Sequence, residues 1–202
     1  GGRYAYNRQP EIGFINCQFL AHALTSLLDE DDLRRGMREY ETTYNDTFIN
    51  LMRRKLGLTE PDGNDMSLIM DTFSMLHEHG IDYTRFFRGL STLPSQGPDP
   101  VRDLFVDRAV ADDWFERYDT RLASDPQSPE GREATMCQVN PKYILRNYLA
   151  QNVIDAARTG DDAPLAELLE VLRRPYDDQP EFEHYAALPP DWGRRMDISC
   201  SS

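Results

Sequence analysis

Between Leu33 and Met52 the apolar side chains Leu33, Met37, Tyr40, Tyr44, Phe48, Leu51 and Met52 recur at steps of four, three, four, four, three and one. That spacing follows the 3.6-residue turn of an α-helix and breaks the two-residue alternation of a strand. The acidic run Asp29-Glu30-Asp31-Asp32 opens the segment, where a helix dipole is positive, and Arg53-Arg54-Lys55 closes it at the negative end. Gly57 then supplies a stop.

Similar signals run through the chain. Phe14, Ile15, Phe19, Leu20, Ala23, Leu24, Leu27 and Leu28 predict a helix over 11–28, with Cys17 as buried packing inside its stripe. Asn64 or Asp65 is positioned to cap a helix reaching His79, stopped by Gly80, and Asp82 to cap a short one carrying Phe86, Phe87 and Leu90. Residues 91–100 hold three prolines and a glycine and read as a loop. Asp99-Pro100 then restarts a helix that brings Val110, Trp114, Tyr118 and Leu122 onto one face. After a loop at 124–129, a short helix through Met136 is expected. Asn140-Pro141 reads as the opening of a helix carrying Ile144, Leu145, Tyr148, Leu149, Ala156 and Ala157 and closed by Gly160, and residues 162–174 as a last helix. From Pro175 the periodicity fails, but Tyr176, Phe182, Tyr185, Trp192 and Ile198 argue against disorder. The expected architecture is all-α, an irregular multi-helix bundle over 1–174 with an extended proline- and aromatic-rich tail over 175–202 packed on it.

Composition limits the function classes. The 202 residues carry a net charge of −13, which repels a phosphate backbone and argues against nucleic acid as a partner. No stretch approaches the roughly 20 apolar residues of a membrane helix. Three cysteines, Cys17, Cys137 and Cys200, are too few and scattered for a disulfide framework, so a reducing, cytoplasmic setting is expected. The chain opens Gly1-Gly2-Arg3-Tyr4 without an initiator Met and reads as a fragment.

Recognisable reaction chemistry is missing from the sequence. Phosphate-cradling loops need closely spaced glycines, and the chain has no G-x-G and no G-K. No Asn follows an Asp at the spacing of a kinase catalytic loop, and Ile81-Asp82-Tyr83-Thr84 lacks the glycine of a metal-holding D-F-G, leaving Asp82 as a helix cap. His77 and His79, two apart on a helix, point to different sides, so charge at a helix C-terminus accounts for them better than zinc. Counted from Asp29, a calcium loop would have Leu33 and Arg34 where an oxygen ligand and a glycine belong. No G-x-S-x-G turn is present, and Cys137 has no flanking cations in sequence. Cys200, between Ser199 and Ser201 near the end, is either an accessible redox thiol or a tail cysteine of no consequence.

Several segments together resemble the SelO family: Gly2-Arg3-Tyr4-Ala5-Tyr6 with Gln9-Pro10; Asn16, Leu20, Ala21, Ala23 and Leu24; Arg53-Arg54-Lys55-Leu56-Gly57-Leu58; Asp82-Tyr83-Thr84-Arg85-Phe86-Phe87-Arg88; Asn140-Pro141-Lys142-Tyr143-Ile144-Leu145-Arg146-Asn147-Tyr148-Leu149; Pro175-Tyr176; Pro189-Pro190-Asp191-Trp192; and the ending Ser199-Cys200-Ser201-Ser202. The likeness runs in order over essentially the whole chain. It departs at Ile15-Asn16-Cys17, where the family usually has Trp-Asn-Leu.

The resemblance implies a kinase-like enzyme that binds ATP in an inverted orientation and transfers AMP to Ser, Thr or Tyr hydroxyls of proteins, with Mg²⁺ or Mn²⁺. It also implies that the glycine-rich loop, the lysine–glutamate pair and the metal motifs precede Gly2, so that this chain is the helical C-terminal portion. On that footing the chain has no catalytic, cofactor-binding or metal-binding residues of its own and is inactive alone. Its partners are the N-terminal kinase-like half and the enzyme's protein substrates. Cys200 takes the family's terminal Cys or selenocysteine position, associated with redox control through an upstream cysteine. A non-catalytic helical protein-interaction module is the alternative reading.

Overall fold

Helix-forming spacing carries through to the three-dimensional structure, a computed structural model that describes residues 6–194 and residue 196. Among the described residues there are ten α-helices and no strand: α1 (Gln9–Ala23), α2 (Glu30–Lys55), α3 (Asp65–Glu78), α4 (Tyr83–Ser91), α5 (Leu93–Gln96), α6 (Asp99–Arg102), α7 (Arg108–Leu122), α8 (Pro129–Cys137), α9 (Asn147–Arg158) and α10 (Ala163–Arg173). Two 3-10 helices, Tyr6–Arg8 and Pro180–Ala186, accompany them. No described helix is long and apolar enough to cross a membrane. The chain divides into two compact units, Gly1–Met52 and Arg53–Ser202.

In the first unit the Asp29 carboxylate accepts from the Asp32 amide at 2.9 Å and so closes the start of α2. Glu30 and Asp32 are answered one turn on by Arg34 and Arg35. Tyr40 donates its hydroxyl to the Pro10 carbonyl at 3.0 Å, and its ring lies 5.9 Å from that of Phe14. Gly13 permits this approach, because a β-carbon there would stand 2.4 Å from the Tyr40 hydroxyl oxygen. The expected helix over 11–28 stops at Ala23. Thr25 turns its hydroxyl onto the His22 carbonyl at 3.0 Å, and residues 24–28 continue as turns. Cys17 is half-buried rather than enclosed.

The second unit begins in the last turn of α2. Gly57, at φ +68°, takes the left-handed conformation that lets the Leu58 amide reach back to the Arg53 carbonyl at 2.9 Å. Its core is aromatic: Trp114 meets Phe86 edge-on at 5.2 Å and stacks on Tyr118 at 4.8 Å. The polar ends of these rings are satisfied, Trp114 Nε1 donating to Thr72 Oγ1 at 3.0 Å and the Tyr118 hydroxyl to the Leu56 carbonyl at 2.7 Å.

Two expected helices start late. Asp99-Pro100 opens only the short α6; the chain turns through 103–107, burying Phe105, and α7 starts under a new cap in which Asp107 accepts from the Ala109 amide at 3.0 Å. Nor does Asn140-Pro141 open a helix. The amides of Lys142 and Tyr143 are committed to the Pro175 carbonyl at 2.8 and 3.1 Å, so α9 begins only at Asn147. Leu145, assigned to the core by its spacing, is exposed.

A second cluster joins Tyr143, Tyr148 and Leu149 to Leu168 and Val171 of α10 and to Tyr185. Tyr185 comes from the 3-10 helix Pro180–Ala186, and its hydroxyl donates to Glu167 at 2.6 Å. The segment after Pro175 thus lies against α9 and α10 as far as Trp192, whose ring approaches that of Tyr148 edge-on.

Candidate functional site

The segments 53–58, 82–88, 140–149 and 175–176, far apart in sequence, meet within the second unit. Asp82 starts α4 by accepting from the Arg85 amide at 2.9 Å, and its two oxygens also take Arg146 at 2.7 and 3.1 Å. Burial works to raise the Asp82 pKa, but Arg146 and the Arg85 amide outweigh it and hold the carboxyl below its ordinary range. Asn140, fully buried, donates to the Lys55 carbonyl at 2.9 Å and to Ser91 Oγ at 3.0 Å, while its own oxygen accepts from Lys55 Nζ at 3.1 Å. Lys55 Nζ also reaches the Val139 carbonyl and sits over the Tyr83 and Phe87 rings, 5.5 and 5.4 Å from their centroids. Burial lowers the Lys55 pKa.

Arg88 ties the remaining segments together. Its Nη1 donates to the carbonyls of Cys137, Asn140 and Tyr176 at 3.3, 3.3 and 3.0 Å, and its Nη2 to Asp178 at 3.4 Å. Beside it opens a cleft of about 590 Å³ whose polar lining includes Thr84, Arg85, Arg88, Lys142, Asp178 and Glu183. Lys142 bridges Asp178 at 3.0 Å and Glu183 at 2.6 Å. Burial would lower the Lys142 pKa, yet these two carboxylates raise it, and Lys142 in turn holds Asp178 low. Arg88 and Lys142 are neutralised in place by Asp178 and Glu183, an arrangement suited to holding chain segments together.

Neither Ser91 nor Cys137, the buried serine and the half-buried thiol of this region, is poised as a nucleophile. Ser91 Oγ is buried, donating to the Phe87 carbonyl at 2.7 Å. The Cys137 thiol is pushed up by burial despite the nearby Arg88, a cation invisible in its sequence surroundings. His79 lies against the Phe105 ring, and among the described residues no three His, Cys, Asp or Glu side chains converge to hold a metal ion. Cys200 and residues 1–5, which open the resemblance, lie outside the described residues.

Two buried polar centres escaped sequence reasoning. Asp65, read as a possible cap, instead accepts from Arg53 at 2.6 Å and Arg121 at 2.7 Å, with no capping bond from Asn64. Asp125 accepts from the Thr59, Glu60 and Gln127 amides at 2.7, 3.2 and 3.2 Å and from Arg132 at 3.3 Å. Arg53 and Arg121 stand 12 and 56 residues from Asp65, and Thr59 and Glu60 stand 66 and 65 from Asp125, so the local sequence around each carboxylate does not announce these partners.

The family model described as protein adenylyltransferase SelO matches residues 1–173. The protein nucleotidyltransferase YdiU of Aliivibrio fischeri is 48% identical over 201 residues, which cover all of this chain and 41% of that protein. Those of Vibrio parahaemolyticus and Vibrio cholerae are 47% and 48% identical over 207 residues, covering all of this chain and 42% of theirs. The chain therefore spans about two-fifths of the length of the curated relatives it matches.

Proposed function

Since this chain belongs to the SelO family of protein nucleotidyltransferases, we propose that it forms the helical part of an enzyme that moves AMP from ATP onto Ser, Thr or Tyr hydroxyls of proteins. The observation that carries this reading is the meeting of the four family-like segments in a scaffold of spent charges and backbone bonds. Arg88, Asn140, Lys55 and Asp82 each bind other parts of the chain. Nucleotidyl transfer depends on groups held rigidly in place, and such cross-linking supplies that rigidity.

The residues present do not fit ATP with its metal. The sequence has no G-x-G and no G-K, and the described residues lack a converging donor set. By this reading Mg²⁺ or Mn²⁺ and the nucleotide are held by the remaining kinase-like part of a full-length family protein. Protein substrates are received on the helical surface, and Cys200 serves redox control. Incubating the 202-residue chain with labelled ATP, Mg²⁺ and Mn²⁺ should label nothing, whereas full-length YdiU of Aliivibrio fischeri should label protein hydroxyls. Metal-dependent labelling by this chain alone would sink the reading. A free-standing, non-catalytic helical interaction module is the second reading, favoured by the exposed Phe19, Leu20 and Leu27; it predicts a gene product of this length with its own start codon.

A further inference from the structure

α1 is mostly apolar, with Glu11, Gln18 and His22 along one side and Gln9 and Asn16 along another. Ile12, Phe14, Ile15, Cys17, Phe19, Leu20, Ala21 and Ala23 spread around the helix at its 100° step instead of gathering on one stripe. Yet none of its residues is buried. Within the first unit, α2 meets the side of α1 that carries Pro10, Gly13 and Phe14, through Tyr40. Phe19 projects from roughly the opposite side and is 69% exposed; Leu27, in the turn that follows, is 76% exposed, and Leu20 and Leu28 are open beside them. Large apolar side chains left exposed this close together in the chain mark a candidate binding face.

The relatives say what is available to cover it. They match this chain along its whole length and extend it by more than as much again. We propose that the face formed by Phe19, Leu20, Leu27 and Leu28 is the seat of the remaining part of a full-length family protein, which meets it with an apolar surface of its own. This rests on the reading that these residues function within a longer enzyme, and it adds which surface makes the join.

Hydrogen exchange followed by mass spectrometry tests the assignment, on this 202-residue chain and on full-length YdiU of Aliivibrio fischeri. The segment 9–28 should exchange at least about tenfold more slowly in the full-length protein, while the segment aligned with α3, already packed in this chain, should exchange alike in both. Replacing the full-length residues aligned with Phe19 and Leu27 by Ser should remove that protection and leave the α3 segment unchanged. Equal exchange of 9–28 in the two proteins would overturn the proposal. So would protection in the 202-residue chain that grows with its concentration and disappears in the Phe19→Ser variant, which identifies a second copy as the occupant. Nucleotide transfer by the full-length protein is scored separately, so loss of the enzymatic reading and loss of the docking face give different results.

Discussion

Asp82 and Arg146 stand 64 residues apart in sequence and form a two-point ion pair, while one oxygen of the same carboxylate caps α4. Both side chains are largely buried, so removing one strands the other's charge. Arg146→Met should therefore destabilise the fold by about 2 kcal/mol, and adding Asp82→Asn should restore part of the loss. A double-mutant cycle in urea measures this; strictly additive costs would reject the coupling.

Asp125 is the clearest acid-sensitive point. Burial alone would raise its pKa, but the Thr59, Glu60 and Gln127 amides and the Thr59 hydroxyl bring it down to about 2. A carboxyl depressed on folding contributes stability above its unfolded value of about 4, and that contribution fades as pH falls toward the folded value. Asp125→Asn should cost on the order of 2 kcal/mol at pH 7. Urea unfolding at several pH values should show the gap between wild type and variant narrowing as pH drops from about 4 to about 2. A gap independent of pH would count against this account.

Asn140 joins the end of α2 to the end of α4. Asn140→Ala removes its bonds to the Lys55 carbonyl and Ser91 and takes an acceptor from Lys55 Nζ. Thermal unfolding should report a loss of about 2–3 kcal/mol. An unchanged melting temperature would mean that the junction is held elsewhere.

Two glycines should respond in opposite directions. At Gly57 the backbone is left-handed and a β-carbon would come within 2.5 Å of Arg132 and Met136 side-chain atoms, so Gly57→Ala should cost about 2 kcal/mol or more. Gly36 lies inside α2 with nothing near the added carbon, and Gly36→Ala should stabilise by about 0.5–1 kcal/mol. Helical circular dichroism with chemical denaturation separates the two signs.

The sequence by itself determined the helical class, the Asp82 cap and the turn at Gly57, because helix bonds and caps join residues three to five apart and leave their spacing in the chain. The tertiary structure decided where α1 ends, why α7 and α9 start late, and which partners Asp65, Asp125 and Asn140 hold. Lys142 and Tyr143 read as helix until their amides meet the Pro175 carbonyl, more than thirty residues on. The family-like segments were legible in sequence, but their convergence on Arg88 was not. Contacts between distant segments depend on how the whole chain folds back on itself, and no short stretch of residues carries that information.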